Sequence, residues 1–233
     1  MKLGIMQPYF LPYIGYWQLL NAVDKYVIYD DVNFIKGGWI NRNRILQNGS
    51  AAYINIPMIG ASSFKKINEI QINRHPRLIE KLLKTVAQNY SKAPEFKTVM
   101  PLFVSILEYR EDNLAKFLIN SIRRVCEYLQ IHTEIVISSS LNKNNSLHGK
   151  DKVINICNHL GATEYINAIG GRELYDRDEF AQHGVALSFL ETENISYKQC
   201  GTCFTPGLSI LDVMMFNSRE EISYYLNCFT LVK

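Results

Sequence analysis

Two adjacent aspartates, Asp30-Asp31, follow the short apolar run Val27-Ile28-Tyr29. A carboxylate pair at a strand end can act as a base, hold a sugar hydroxyl or amine, or bind Mg²⁺; it can also simply cap the next turn. Successive strand residues point to opposite faces, so one of the two is expected to meet a ligand. Further on, Lys36-Gly37-Gly38-Trp39-Ile40-Asn41-Arg42-Asn43 gathers two cations and two amides in one glycine-hinged loop. That set suits a pyrophosphate or carboxylate, because a guanidinium forks onto two oxygens. Gln7, Tyr9, Tyr13, Tyr16 and Trp39 supply an amide and four rings that can stack on a base or sugar, although aromatics in such turns also pack beneath them. His148, in a polar stretch before Lys150 and Asp151, is the candidate general base by its position. The expected catalytic groups are thus Asp30, Asp31 and His148. The expected substrate contacts are Gln7, Tyr9, Tyr13, Tyr16, Lys36, Trp39, Asn41, Arg42 and Asn43.

The elements that must position these groups can be read from hydrophobic period. Leu3-Gly4-Ile5-Met6 and Val27-Ile28-Tyr29 are short apolar runs ending in polar groups, as buried strands do. Between them Trp17, Leu19, Leu20 and Val23 form the stripe of a helix, with Pro12 near its first turn. Strand, turn, helix, strand is a βαβ unit, and ligands collect outside the carboxyl ends of such strands. Gln47-Asn48-Gly49-Ser50 is a hairpin signal leading into a strand at 52–57, and 67–72 is a further candidate strand. Helical spacing then runs through 76–90, 95–109 and 113–129, a helical block at about 76–130 that interrupts the α/β rhythm. Thr133–Ile137 reads as a returning strand. Residues 138–150 are polar and without period, long enough for a mobile binding loop. Helix 151–160, strand 164–168, helix 176–183, strand 185–190 and a two-piece helical tail over 206–226, broken near Asn217-Ser218, complete the chain. The expectation is an α/β fold with a mainly parallel sheet of Rossmann-like (HUP-like) type, one domain over 1–233, the helical block being an insertion or small subdomain.

Composition narrows the partners. Lysine plus arginine exceeds aspartate plus glutamate by 25 − 22, or +3, too near balance for a nucleic-acid or membrane-surface protein. The start of the chain has no charged leader with a long apolar stretch, and no segment approaches a membrane span, so a cytoplasmic, soluble protein is expected. Five cysteines, an odd and scattered set, do not form a disulfide framework. Cys200-Gly-Thr-Cys203 has redox or metal spacing, but no second such pair accompanies it; incidental thiols and no metal site are expected. His75, His132, His159 and His183 stand alone, and Asp212 fits a C-terminal helix docked on the sheet. The chain lacks a Gly-x-Ser-x-Gly elbow, a Walker loop and a His-Glu-x-x-His motif, against the matching hydrolase, NTPase and zinc-protease readings.

Met6-Gln7-Pro8-Tyr9-Phe10 with Pro12, then Asp30-Asp31-Val32 and Lys36-Gly-Gly-Trp-Ile-Asn41-Arg42-Asn43, resemble the signature of the WbqC-like family of bacterial O-antigen and other surface-polysaccharide gene clusters. The resemblance continues through Gln88–Pro94, Leu160-Gly161-Ala162 and Phe204–Asp212. It implies a role in making a modified sugar of a surface glycan, such as attaching an acyl or aminoacyl group to a nucleotide-linked amino sugar. A weaker resemblance is to the nucleotide-binding fold of pantothenate synthetase, cytidylyltransferases and class I synthetases. There a His-x-Gly-His sequence opens the first helix, and Tyr13-Ile14-Gly15-Tyr16 stands in its place here. The glycine would let a nucleotide pack at the helix N-terminus. Tyrosine can donate to a phosphate oxygen but carries no positive charge.

Together these imply an N-acyl or aminoacyl transferase, or an ATP-dependent amide ligase, acting on the amine of a nucleotide-linked amino sugar. Asp30 or Asp31 would orient or deprotonate the amine, while Lys36, Arg42 and the asparagines hold the pyrophosphate. The donor is left open among an acyl-adenylate made with ATP and Mg²⁺, an acyl-CoA and a charged tRNA, the last disfavoured by the near-neutral charge. The alternatives are a non-catalytic sugar-nucleotide-binding scaffold and a glycosyltransferase.

Overall fold

The computed structural model describes residues 1–201 and 203–233. In chain order the strands and helices are β1 (Lys2–Met6), α1 (Ile14–Ala22), β2 (Lys25–Ile28), β3 (Arg42–Gln47), β4 (Ser50–Asn55), β5 (Met58–Ile59), β6 (Gln71–Ile72), α2 (Pro76–Tyr90), α3 (Phe96–Glu108), α4 (Leu114–Leu129), β7 (Glu134–Ile137), α5 (Gly149–Leu160), β8 (Glu164–Ala168), α6 (Arg177–Gln182), β9 (Ala186–Thr192), α7 (Ile210–Phe216), α8 (Arg219–Tyr225) and β10 (Phe229–Val232).

Among the described residues six strands form the central sheet, in the order β10-β9-β8-β1-β2-β7. All neighbours are parallel except β10, which pairs antiparallel with β9 at the edge. The protein is therefore α/β with a mainly parallel sheet. Chain order reverses direction across the sheet between β1 and β8, the place where open parallel sheets leave a crevice at their carboxyl edge. Alternation along each strand divides the core in two. Leu3, Ile5, Val27, Tyr165, Leu187 and Phe189 face α5 and α6 through Val153, Ile156, Cys157 and Phe180. Tyr26, Ile28, Ile166 and Leu190 face the opposite way, into a larger core shared by α1, the helical block, α7 and α8.

Local chemistry explains most boundaries. Pro76 opens α2, where its missing N–H is no loss. Gly161, at φ +69°, ends α5 in the left-handed conformation. Asn48 and Gly49, at φ +50° and +76°, make the tight turn joining β3 to β4.

Three expectations are corrected. Arg42 and Asn43 belong to β3 rather than a loop, because they pair with Asn55 and Ile54 across the hairpin. Residues 67–72 are a single 3₁₀ turn, Ile67–Glu69, followed by the two-residue β6, since Ile67, Ile70 and Ile72 all enter the core. The edge strand β10, with its half-exposed Phe-Thr-Leu-Val sequence, was not expected at all.

A polar network fastens the helical block and the tail to each other and to the β3–β4 hairpin. Asp212, fully buried, accepts from Tyr90 Oη, Tyr197 Oη and Gln199 Nε2, each at 2.7 Å. Tyr90 Oη in turn accepts from the Leu46 amide at 3.0 Å. Burial, outweighing these three donors, holds the Asp212 carboxyl above its ordinary range. Tyr90→Phe leaves both the Leu46 N–H and an Asp212 oxygen short of a partner inside the core. It should cost about 1–3 kcal/mol in urea denaturation at neutral pH; an unchanged midpoint would remove the network from the account of stability.

Candidate functional site

The turn after β1 is held open by hydrogen bonds that come from far along the chain. Leu11 sits at φ +43°, a conformation that costs a non-glycine residue about 1–2 kcal/mol. Its carbonyl accepts from Asn43 Nδ2 at 2.8 Å and from Ser209 Oγ at 2.7 Å. Asn43 Nδ2 also reaches Phe10 O at 3.2 Å, and the Phe10 amide donates to Ile40 O at 3.0 Å. Pro12 O accepts from Trp17 Nε1 and from the Ile210 amide, both at 3.0 Å, while the Ser209 amide donates to Arg44 O at 2.8 Å. Three segments, 7–13, 39–44 and 207–210, are tied together at one point.

Around that point lies a cavity of about 240 Å³ lined by Tyr9, Pro12, Tyr13, Trp39, Asn43, Arg44 and Gly207. Four of the residues expected from the sequence, Tyr9, Tyr13, Trp39 and Asn43, meet here. Burial, with Tyr13 adding to it, raises the Tyr9 phenol above its ordinary value, so it stays protonated. Arg44 was not expected; its guanidinium lies 5.5 Å from the Trp39 ring and its Nη2 donates to Gly207 O at 3.1 Å. Its neighbour Arg42 is engaged elsewhere, donating to Gly37 O and Gly38 O and lying 4.4 Å over Tyr53. Strand alternation separates the two from Asn43 between them, and sequence position alone could not say which arginine faced the cavity. The larger depression of about 910 Å³ between α2 and α3 contains none of the expected residues.

A second cavity of about 190 Å³ adjoins the first and shares Tyr13 and Gly207 with it. Its other walls include Ile14, Ile195, Phe204, Leu208 and Val213. The Tyr13 ring folds back over Gly15. A Cβ there would stand 2.5 Å from Tyr13 Oη and 2.6 Å from Thr192 Oγ1, so a side chain at that position would displace them. Gly15, at the start of α1, is thus covered by the chain's own Tyr13 ring.

The remaining expected residues lie differently. Tyr16 is buried in the core, its hydroxyl donating to Gln7 O at 3.2 Å. Gln7 Oε1 is buried without a hydrogen-bond partner. Asn41 Nδ2 donates to Ile56 O at 3.1 Å, Lys36 is exposed, and His148 is exposed at the start of α5 with no capping bond. Cys200 and Cys203 are exposed, and the spacing between them includes Thr202, which lies outside the described residues. No cluster of three or more His, Cys, Asp or Glu side chains among the described residues is arranged to hold a metal ion.

Asp30 and Asp31 stand at the carboxyl edge, past β2, but both are buried and fully engaged. Asp30 accepts from the Ser139 amide at 2.9 Å, Ser139 Oγ at 2.6 Å and Asn68 Nδ2 at 3.4 Å. Asp31 accepts from Ser138 Oγ at 2.7 Å, and its Oδ2 pairs with both Lys143 and Lys152 at 2.9 Å. Lys143 also donates to Ser138 O, and Lys152 to Asp31 O at 3.3 Å, with the Tyr29 ring 5.1 Å away. Burial opposes ionisation of Asp31, yet the Ser138 and lysine contacts outweigh it and hold the carboxyl down at about 2. Residues 138–143 of the polar stretch are thereby pinned to the sheet, Lys143 being buried against Asp31.

These features define an α/β protein with paired cavities above the loop that follows its first strand. The WbqC-like protein family matches residues 7–224, and the chain belongs to that family, which points to a function related to polysaccharide biosynthesis. It is 30% identical over 235 residues to the protein named "Uncharacterized protein Rv1507c" of Mycobacterium tuberculosis (strain ATCC 25618 / H37Rv), covering 97% of each chain. No solved structure matches it. Among the described residues no helix is long and apolar enough to cross a membrane.

Because the folded-state pKa of Asp31 is depressed from 3.8 to about 2, its contribution to stability is present above about pH 4 and lost as pH falls through 2. Asp31→Asn leaves two buried ammonium groups without their carboxylate. It should cost about 3–5 kcal/mol at pH 7, and the wild-type advantage should shrink between pH 4 and pH 2 in chemical denaturation. An advantage constant over that range would show that the ion cluster is not what stabilises the edge.

Proposed function

We propose that the protein transfers an acyl or aminoacyl group to the amine of a nucleotide-linked amino sugar in surface-polysaccharide synthesis. The observation that carries this reading is the pair of adjoining cavities with Tyr13 as their common wall. One is aromatic and carries a guanidinium, suited to a sugar ring bearing an anionic group. The other is largely apolar and of a size for a short acyl group. Group transfer between two bound substrates needs two such sites side by side, with the reacting atoms about 3–3.5 Å apart.

In this reading the neutral amine attacks the carbonyl carbon of the activated donor. The C–N bond forms as the donor's leaving group departs with its electron pair, and the nitrogen's surplus proton passes to a base. Asp31, held at about 2 by the Ser138 hydroxyl and two ammonium groups, is too weak a base for that step. The acid pair instead sets the carboxyl edge by fastening residues 138–143, and His148, from the same stretch, is the candidate base. Gln7 Oε1 is an acceptor left for a substrate N–H or hydroxyl. The strand order, 3-2-1-4-5-6 when counted in chain order, supports a Rossmann-like type, with the helical block inserted between β2 and β7 of one domain over 1–233. Tyr13 and Thr192 crowd Gly15 at the start of α1, which favours a donor activated elsewhere over ATP bound at that helix end.

Incubation with nucleotide-linked 3-amino and 4-amino deoxysugars, offered acyl-CoAs, ATP with amino acids, or charged tRNA, tests the reading by mass spectrometry. The expected product gains an amide mass and keeps its nucleotide. Free nucleotide released from the sugar would indicate glycosyl transfer, and an unchanged sugar with every donor would indicate a binding protein; either would overturn the proposal.

A further inference from the structure

Arg44 is the cation of the aromatic cavity, and it is held in a way that leaves its donors in surplus. A guanidinium has five N–H groups and no acceptor. Among the described residues that of Arg44 makes one hydrogen bond, from Nη2 to Gly207 O, while Nε is buried with no partner. No carboxylate pairs with it among those residues, although Lys25, Arg74, Arg124, Lys143, Lys150 and Lys152 all have one. Buried donors without acceptors are rare and call for an explanation.

The side chain is also fixed. It projects from β3, whose preceding residue Asn43 clamps the loop after β1, and its backbone carbonyl accepts from the Ser209 amide. Gly207 lies close enough that a Cβ there would stand 3.3 Å from Nη2, and the Trp39 ring flanks the guanidinium on another side. A cation held on a strand, short of acceptors and set among Tyr9, Tyr13 and Trp39 is organised for a ligand that brings its own oxygens.

We propose that Arg44 binds an oxyanion attached to a pyranose ring seated against Tyr9, Tyr13 and Trp39, and that this oxyanion is the phosphate ester on the anomeric carbon of the sugar nucleotide. The inference rests on the reading of this cavity as the sugar site and transfers the anion-binding role expected of Arg42 to Arg44. A ring carboxylate offers the same chemistry from another source.

Isothermal titration of the wild type with N-acetylglucosamine 1-phosphate, glucuronic acid, N-acetylglucosamine and inorganic phosphate distinguishes them. The sugar phosphate should bind most tightly, and Arg44→Ala should weaken it about 10- to 150-fold, the range for one charge-assisted contact. The neutral sugar should lose no affinity in the variant. Arg44→Lys, which keeps the charge and loses the fork, should fall between the two, and it supplies the comparison if the alanine variant fails to fold. Arg44-dependent preference for glucuronic acid would overturn the phosphate assignment. Equal affinity of wild type and both variants for every anion, binding of no anion by the wild type, or a larger loss in Arg42→Ala would overturn the inference altogether. Arg44-dependent binding of the sugar phosphate without any amide product would sink the transfer reading alone, whereas amide formation with unaltered sugar-phosphate affinity in Arg44→Ala would sink this inference alone.

Discussion

The carbonyl of Leu11 is the point on which the site depends. A leucine in the left-handed region is unfavourable, and nothing within the loop itself stabilises it there. Two buried donors from Asn43 and Ser209 converge on this one oxygen, each bond adding about 0.5–1.5 kcal/mol net, enough together to offset the strain. The consequence is geometric. The turn after β1 faces Tyr9 and Tyr13 toward Trp39 and Arg44 from the hairpin and toward Gly207 from the tail, so that one cavity draws on segments almost 200 residues apart in sequence. Neither the hairpin nor the tail is part of the central sheet. The Leu11 contacts act with the Phe10–Ile40, Pro12–Ile210 and Arg44–Ser209 backbone bonds to hold these segments around the cavity.

Two buried carboxylates complete the scaffold, and they respond to pH in opposite senses. Asp31 has two cations and a hydroxyl, which overcome its burial; its charged form stabilises the fold and is lost only in strong acid. Asp212 has three neutral donors and no cation in contact, and burial wins. Its folded pKa lies above 3.8, so the stability it confers is greatest when protonated and declines as pH rises from about 4 through the raised value. The first carboxylate fastens residues 138–143 beside the carboxyl edge. The second fastens α2, β3 and the stretch around Tyr197 and Gln199, the latter forming one side of the apolar cavity. The segment at the carboxyl edge and the stretch beside the apolar cavity are thus both held by buried polar groups, which suits precise placement more than strength.

Much of this was legible from the chain. Apolar runs ending at Pro8 and at Asp30 located β1 and β2; the Asn48-Gly49 dipeptide located the hairpin; helical spacing with its prolines and Gly161 located α2 to α5 within one or two residues. These are local signals, and each has a local cause. What escaped was set by long-range contacts. The isoleucines at 67, 70 and 72 suggested a strand, but all three enter the core from a 3₁₀ turn and a two-residue bridge to β5. β10 is half exposed and exists because β9 offers it an edge. The pairing of Lys143 and Lys152 with Asp31 escaped as well, since nothing nearby in sequence announces that one carboxylate receives both. Arg42 and Arg44 were equivalent by type and share a face of β3; their partners distinguish them, Gly37, Gly38 and Tyr53 for Arg42, Gly207 and Trp39 for Arg44. Tyr16 belonged to the aromatic turn by position, yet helix geometry turns it inward against Trp17 and Tyr26.

The dependence of the cavity on the Leu11 contacts can be measured without knowing any substrate. Hydrogen–deuterium exchange, followed by mass spectrometry of peptides from Asn43→Ala and wild type, reads the loop directly. The account predicts faster exchange in 7–13, 38–44 and 207–210 of the variant, with the amides of β1, β2 and β8 as protected as before. Unaltered exchange in 7–13 would show that the loop keeps its shape without Asn43, and would contradict the account at its centre.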